Sequence, residues 1–382
     1  MAVATAAGRA LELRELTSLE ALARARDGWD RAVAAAAAPN VFLTADWLQA
    51  WWRHFGASAT PWLLLAEDAG EPVAAVALML TAHRAGPVRL RALEAPGADV
   101  PTCADHMAPA CRPGAEGAVA GLVARHLRRH GRRWDVAQWQ AVPEGSAAMV
   151  RLAEALAPAA RRQWRPSRPC PYLPLDGRWE AVEERLQRKF RDLRKYLAAV
   201  ERRGGRFLLV RTEAELRQVL GELRRLNRLR VRSKGGVPGL ERDDLFAFVG
   251  DVSARFLRRG WLRLHALEIG GETIGVNLNF AYGGKVYGYM SGFDPEWTRH
   301  GIGTVVMRQA VRTAQEEGFR EYDFLRGDED YKYRWTDLQR GAATLRVVNH
   351  PLRAWAFAGA RLALAAGPRV RARLARRPVA AP

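Results

Sequence analysis

Lys285-Val-Tyr-Gly-Tyr-Met-Ser-Gly-Phe-Asp294, then Pro295-Glu-Trp-Thr-Arg-His300, then Gly301-Ile-Gly-Thr304 is the stretch on which the fold turns. The first segment has alternating aromatics, the period of a half-buried strand. Asp294-Pro295 marks a turn. Gly301-Ile-Gly303-Thr304 opens a helix expected to run to about Glu317, with Met307, Ala310, Val311 and Ala314 as its buried stripe. Gly318 follows the helix, and Tyr322-Asp-Phe-Leu325 reads as the next strand. The order is strand, glycine loop, helix, strand. The first N–H groups of a helix have no internal acceptor and lie at the positive end of its dipole. Glycine lets a ligand approach the backbone without a Cβ in the way. The junction suits a pyrophosphate, and Arg299 adds a full charge beside it. Taken alone, Gly-x-Gly before a helix is also just a tight turn into that helix, so the rest of the chain has to decide.

Upstream, Trp261-Leu-Arg-Leu-His-Ala-Leu-Glu268 runs into Gly270-Gly-Glu-Thr273 and then Ile274–Tyr282, a β-hairpin signature. The first half repeats the plan: Trp62-Leu-Leu-Leu-Ala-Glu67, a turn at Asp68-Ala-Gly-Glu-Pro72, and Val73–Leu80. Both turns share Gly-Glu-x-(Val/Ile)-(Ala/Gly), at Gly70–Ala74 and Gly271–Gly275. The order of elements around them also agrees, so the chain reads as a degenerate internal duplication. Ahead of the first hairpin come a strand, Leu11–Leu16, an alanine-rich helix to about Ala38, and a helix over Thr44–Phe55 with Trp47 and Trp51 on one face. The first half has no comparable Gly-x-Gly loop.

Pro166, Pro169, Pro171 and Pro174 mark a boundary within Arg165–Gly177. A single helix is expected over Trp179–Arg203. Its apolar stripe is Val182, Leu186, Phe190, Leu193, Leu197 and Val200, and Arg188, Arg191 and Lys195 line another face. That basic face is a solvated surface or a clamp on an anionic substrate. The tail His350–Pro382 holds seven arginines and no acid. It reads as a packing helix with a basic end, or as an interfacial helix on anionic lipid. The expected fold is therefore mixed α/β (α+β), with two tandem domains, each a mixed twisted sheet flanked by helices. The expected division is residues 1–170, 171–349 and a basic tail at 350–382.

Composition sets bounds on this reading. Hydrophobic content of 48% and charged content of 26% are ordinary for a globular chain. The longest apolar runs fall short of a spanning helix, and Met1–Leu16 lacks the pattern of a secretory signal. Cys103, Cys111 and Cys170 are few, odd in number and without metal spacing, which suits a reduced cytoplasmic compartment. The net charge is +19, yet only five of the 60 basic residues are lysines. That excess of arginine, beside abundant alanine and glycine, follows high-GC coding, and the surface still attracts anions. A Gly-x-Ser-x-Gly elbow, a His-Glu-x-x-His pair and a Walker loop are all absent, and no metal is expected. Arg232-Ser-Lys234-Gly-Gly236 reads as an exposed loop beside the site.

The region resembles the GNAT acyltransferase superfamily, whose cofactor loop is Gln/Arg-x-x-Gly-x-Gly/Ala at this strand-to-helix junction. Gly301 and Gly303 match, whereas Thr298 stands at the basic position with Arg299 next to it. Over about Val41 to Val348 the chain resembles the BioF2-like (CelD-like) GNAT group, related to the FemAB peptidyltransferases. The likeness rests on Phe42–Phe55, Phe190-Arg-Asp-Leu-Arg-Lys195 and Tyr322-Asp-Phe-Leu-Arg-Gly-Asp-Glu-Asp-Tyr-Lys-Tyr-Arg-Trp335. It implies that acetyl-CoA or another acyl-CoA binds at Arg299, His300, Gly301, Gly303 and Thr304. It implies a pantetheine arm between Lys285–Phe293 and Tyr322–Leu325, with Arg188, Arg191 and Lys195 near the substrate. Asp323 and Asp328 are then candidate bases, Tyr331 the acid for the leaving thiolate, and Lys332 a stabiliser of developing charge. Each has a structural alternative: a cap, a solvated acidic turn, or closure of the core. The implied reaction is N-acylation of an amine on a small molecule, a sugar, or a cell-envelope or polysaccharide precursor. The implied setting is cytoplasmic, peripheral to the inner face of the membrane through the tail. The alternatives are a FemAB-like transferase using aminoacyl-tRNA, the one nucleic acid expected as a partner, and a non-catalytic basic binding module.

Overall fold

A computed structural model describes residues 11–98, 101–157, 161–233, 235–236 and 239–362. Lys234 and the tail from residue 363 lie outside the described residues. The second half is organised on a seven-stranded sheet. Its order is Arg206–Leu209, Leu262–Ile269, Glu272–Tyr282, Lys285–Phe293, Glu321–Asp323, Cys170–Pro174 and Gln339–Arg340. Neighbours run antiparallel except Lys285–Phe293 and Glu321–Asp323, which are parallel and joined through the helix Ile302–Glu316. The helices Glu213–Arg232 and Asp243–Arg258 cover one face. Ile302–Glu316, Trp179–Lys189 and Leu193–Arg202 cover the other.

The first half holds two sheets. One orders Leu11–Leu16, Leu63–Asp68, Glu71–Val76 and Ala110–Cys111. The other orders Thr60–Pro61, Met79–Ala85, Val88–Glu94, Val136–Pro143, Ala342–Val348 and Arg161–Pro166. The helices Glu116–Arg129 and Ala147–Leu156 complete its core. Both halves run strand, helices, hairpin, strand, with three helices in the first half and two in the second. The two hairpin turns also share a backbone: Ala69 and Gly70 have φ of 51° and 83°, and Gly270 and Gly271 have 60° and 84°. Two successive positive φ values give the turn whose twist matches the flanking strands.

The halves are fused rather than merely linked. The helix Ala45–Phe55, capped by the Thr44 hydroxyl on the Trp47 N–H, packs on Asp243–Arg258 of the second half. Trp47 is fully buried, edge-on to Phe248 at 5.0 Å and to Phe280 at 6.1 Å. The chain crosses from the six-stranded to the seven-stranded sheet at residues 167–169, between Arg161–Pro166 and Cys170–Pro174. It later returns, because Ala342–Val348 pairs with Val136–Pro143 and Arg161–Pro166. The expected cuts after 170 and 349 therefore do not follow breaks in packing. The first falls inside a strand, and the helix at 351–362 lies on the first half, burying Ala354 and Phe357 against Leu90 and Val136.

Two helices expected to be continuous are broken. Trp179–Arg203 splits into Trp179–Lys189 and Leu193–Arg202, because Phe190 turns into the core against Trp335, at 4.9 Å. The stripe hid the break, since Leu186, Phe190 and Leu193 are all buried. The alanine-rich segment likewise divides at Ala25 into Leu19–Arg24 and Arg26–Ala34. Packing overrides propensity at both places.

Candidate acyl-transfer channel

The parallel pairing beside Lys285–Phe293 lasts three residues, from Lys285↔Glu321 to Tyr287↔Asp323. Beyond it the strands diverge, and among the described residues the edge of Gly288–Phe293 has no strand partner on that side. On its other side, Leu278 faces Met290 and Asn279 faces Gly288, so Tyr289 is an extra, bulged residue. An unpaired strand edge offers N–H and C=O groups to the amides of an extended ligand.

A channel fills the splay. Its outer part, of about 260 Å³, is lined by Tyr196, Phe293, Thr298, Gly301–Thr304 and Arg334 among others. Its inner part, of about 180 Å³, is lined by Asn227, Asn277, Gly288–Ser291 and Tyr322 among others. Arg230, Ser291, Met307 and Tyr331 border both parts, so the two are one passage. A larger solvent-open hollow among Arg224, Arg228 and Arg232 lies outside this splay.

The glycine loop ends the outer part. Gly301 adopts φ 60° as the residue ahead of the helix Ile302–Glu316, a backbone state that glycine tolerates best. A Cβ there would lie 2.3 Å from the Tyr196 ring, and one on Gly303 would lie 2.9 Å from Phe293. Both glycines are thus also fixed by packing. As the first helical residues, Ile302 and Gly303 have N–H groups with no acceptor inside the helix. Arg299 and His300 sit on the outer rim rather than in the lining, with Arg299 Nε 3.3 Å from His300 Nε2. Desolvation lowers the His300 pKa, and Arg203, Arg299 and Lys195 add to the effect. The rim is therefore a cluster of cations. Lys195 reaches it, whereas Arg188 is exposed and paired with Glu184 at 4.0 Å. Arg191 is exposed on the break between the two helices. From the helix pair expected to clamp substrate, Phe190 and Tyr196 line the channel.

The four expected catalytic residues separate. Tyr331 borders both parts of the channel, and desolvation with Glu329 nearby pushes its phenol up to about 12. It therefore keeps its proton at neutral pH. Asp323 is fully buried and points away from the channel, toward the first half. Its Oδ2 lies 2.8 Å from His106 Nε2, and its Oδ1 accepts the Leu325 N–H at 2.8 Å. His106 holds the carboxyl below its ordinary value, and Asp323 in turn raises the imidazole, in each case against the effect of burial. Asp328 is exposed, 3.9 Å from Arg168. Lys332 is 4% exposed and donates to the carbonyls of Leu325 (3.1 Å) and Arg326 (2.8 Å), with Glu329 at 2.9 Å. Its three protons are committed to fastening the loop 325–329. Neither Asp323, Asp328 nor Lys332 lines the channel.

Sequence reading missed Arg230, Arg334, Asn227, Asn277 and Tyr322. Asn227 donates to the Ser291 carbonyl at 3.2 Å, and the Tyr322 hydroxyl donates to Asn279 Oδ1 at 2.6 Å. Tyr322 was placed on a strand, and period-2 alternation puts its side chain opposite that of Asp323. That alternation was the available signal.

Residues 187–333 match the family model described as "Acetyltransferase (GNAT) domain". This span contains the splayed strands, the glycine loop and all of the channel lining except Arg334 and Trp335, so the chain carries a GNAT acyltransferase domain and is an enzyme of that class. Its fold is shared with the crystal structure of FemX, at 12% identity and TM-score 0.66 over 90% of this chain and 99% of that one. It is also similar to a protein of unknown function from Bacteroides thetaiotaomicron VPI-5482, at 10% identity and TM-score 0.54, covering 88% and 99%. The C-terminal (DUF2156) domain of a putative lysylphosphatidylglycerol synthetase from Agrobacterium fabrum aligns at 13% identity and TM-score 0.50, covering 91% and 96%. These likenesses establish the fold: two tandem GNAT-like halves. No curated protein matches the chain in sequence. Among the described residues, no helix is long and apolar enough to cross a membrane.

Proposed function

We propose that the chain is an N-acyltransferase that moves an acetyl or other short acyl group from CoA to an amine acceptor. The observation that carries this is the continuous channel in the strand splay, closed at one end by Gly301–Thr304 and its rim of cations. In this reading the loop N–H groups and the rim hold the donor's phosphates, and Tyr331 returns a proton to the departing thiolate. The acceptor is a sugar, or a cell-envelope or polysaccharide precursor, as in the BioF2-like (CelD-like) group within which we place the chain. Support for that placement is the three segments Phe42–Phe55, Phe190–Lys195 and Tyr322–Trp335.

The seat of the reaction is taken to be residues 171–349, with 1–170 as a degenerate partner domain lacking its own cofactor loop. The setting is cytoplasmic and peripheral to the membrane. Support for membrane contact is the helix at 351–362, which leaves Leu352, Trp355 and Leu362 exposed in an acid-free, arginine-rich tail.

The test is calorimetric titration with acetyl-CoA. Gly303 packs on Phe293, so a side chain there would test folding as much as binding. Thr304→Glu places a carboxylate in the lining without that clash. Wild type should bind in the micromolar range and the variant should not, with both folded. If neither binds, the acetyl-CoA assignment falls, and aminoacyl-tRNA becomes the donor to test.

A further inference from the structure

We propose that the inner end of the channel is an oxyanion subsite, with Arg230 as its anchor, for a carboxylate or phosphate carried by the amine acceptor. The inference deepens the acyltransferase reading and rests on it for the word acceptor.

Arg230 lies in the last turn of Glu213–Arg232 and borders both parts of the channel. Its Nε is buried without a hydrogen-bond partner, and among the described residues no carboxylate lies within ion-pair distance of it. Arg308, Arg326 and Arg255 are matched by Glu183 at 2.6 Å, Asp105 at 2.9 Å and Asp251 at 2.8 Å; Arg125 and Arg185 also keep a buried unpartnered nitrogen, but neither lines the channel. Burial accordingly lowers the Arg230 pKa, with the Tyr331 phenol as the sole group opposing it. A half-buried cation with no carboxylate partner, its guanidinium 5.7 Å from the Phe293 ring centre, is costly for the fold alone. It is explained if a ligand brings the anion. The Nε is covered by protein, so an oxyanion would meet the terminal nitrogens of the guanidinium, on the side that borders the channel.

The cavity beyond Arg230 agrees. Asn227, Asn277, Ser291 and Tyr322 give it a polar wall, and its 180 Å³ equals about six waters at ~30 Å³ each. An acetyl methyl would need neither the polarity nor the volume. The donor's phosphates have their own cations at the opposite end, in Lys195, Arg203, Arg299 and Arg334. Arg230 is thus left for a second anion, and the pocket favours acceptors that join an amine to an oxyanion: amino acids or aminosugar phosphates.

The experiment measures CoA release by the full chain with matched acceptors that differ only in the oxyanion. The pairs are amino acids against their amides, and glucosamine 6-phosphate against glucosamine. Turnover should favour the anionic member of one pair type by roughly 10- to 100-fold in kcat/KM, which also tells carboxylate from phosphate. Arg230→Met should erase that preference, leave acetyl-CoA affinity within about twofold, and leave Tm unchanged or higher. Equal turnover of neutral partners would overturn the proposal. So would an Arg230→Met variant that weakens acetyl-CoA while sparing acceptor KM, or one that loses Tm.

A second measurement is independent of CoA. In the Thr304→Glu background, inorganic phosphate or acetate should still raise Tm, and adding Arg230→Met should abolish the rise. Absence of a rise overturns the subsite even if acetyl-CoA binds. A rise without acetyl-CoA binding by wild type keeps the subsite and removes the acyl-CoA reading.

Discussion

Replacing Asp323 by Asn separates a catalytic carboxylate from a structural one. In the structure Asp323 is fully buried, 2.8 Å from His106 and 3.5 Å from Arg340, and outside the channel lining. The variant removes a charge-assisted hydrogen bond, worth about 1.5–3 kcal/mol. It does not reach the larger cost of a stranded buried charge at neutral pH, because His106 can release its proton once its partner is neutral. Unfolding entropy of about 2.1 cal/mol/K per residue gives roughly 0.8 kcal/mol/K for 382 residues. The expected loss of Tm near pH 8 is therefore about 2–4 °C. The sign of the pH effect follows from the two shifts. Asp323 raises the His106 pKa, so in wild type that group's contribution is fully present below its unfolded value and fades as pH rises through the folded one. Asp323 itself is depressed, and its contribution is lost only as pH falls through its folded value. Without Asp323, burial pushes His106 downward instead, and acid now destabilises. The Tm gap between wild type and Asp323→Asn should widen from pH 8 to pH 5.5, read by calorimetry or circular dichroism. A variant with unchanged Tm at both pH values and abolished acyl transfer would refute the reasoning and restore Asp323 as a base.

Lys332→Met strands the carbonyls of Leu325 and Arg326. It should cost about 2–4 kcal/mol, or roughly 3–5 °C in Tm, and an unchanged Tm with lost turnover would instead assign Lys332 to the chemistry. Tyr331→Phe should lower kcat about 100-fold at unchanged acetyl-CoA affinity. With its phenol near 12, wild-type kcat should show no alkaline decline from this group below pH 10, and an unchanged kcat in the variant would remove it as the acid. Leu352→Glu with Trp355→Glu alters side chains 77% and 62% exposed, so Tm should hold while cosedimentation with vesicles containing phosphatidylglycerol falls. Equal sedimentation of wild type and variant would remove this helix face from membrane contact.

The hairpins, their turns and the glycine loop were legible because each signal is local: a run, a turn, a run. The channel was half legible. Gly301–Thr304 could be read from glycine spacing, whereas the place after the last core strand pointed to Lys332, and its neighbour Tyr331 is the one that borders the channel. Arg230 could not be read, because it is one of six arginines within Glu213–Arg232 and only the packed helix shows which one turns inward. His106 was invisible for another reason. Its partner is 217 residues away, and nothing near either residue marks the pair. The return of Ala342–Val348 to the six-stranded sheet escaped on the same ground, since strand pairing over that separation leaves no periodic trace.

The first half, which has no Gly-x-Gly loop after its hairpin, has a physical task of its own. A splay between parallel neighbours is a gap that pairing and packing would tend to close. Here the first half holds both banks. Tyr287 and Tyr289, on one strand, donate to the carbonyls of Pro39 (3.0 Å) and Thr102 (2.8 Å). On the other bank, Asp323 is held by His106, and Asp105 accepts the Arg326 N–H at 2.7 Å and pairs with its guanidinium at 2.9 Å. The backbone pays for this arrangement at Cys103, His106 and Leu325, non-glycine residues with φ of 50°, 58° and 59°. Such conformations persist only where neighbours over-determine them. Asn40 does so by donating to the carbonyls of both Asp105 and His106, at 2.9 Å each. The strain therefore collects where one half grips the open strands of the other. The channel is a property of the fused pair of halves, although its lining comes from one of them.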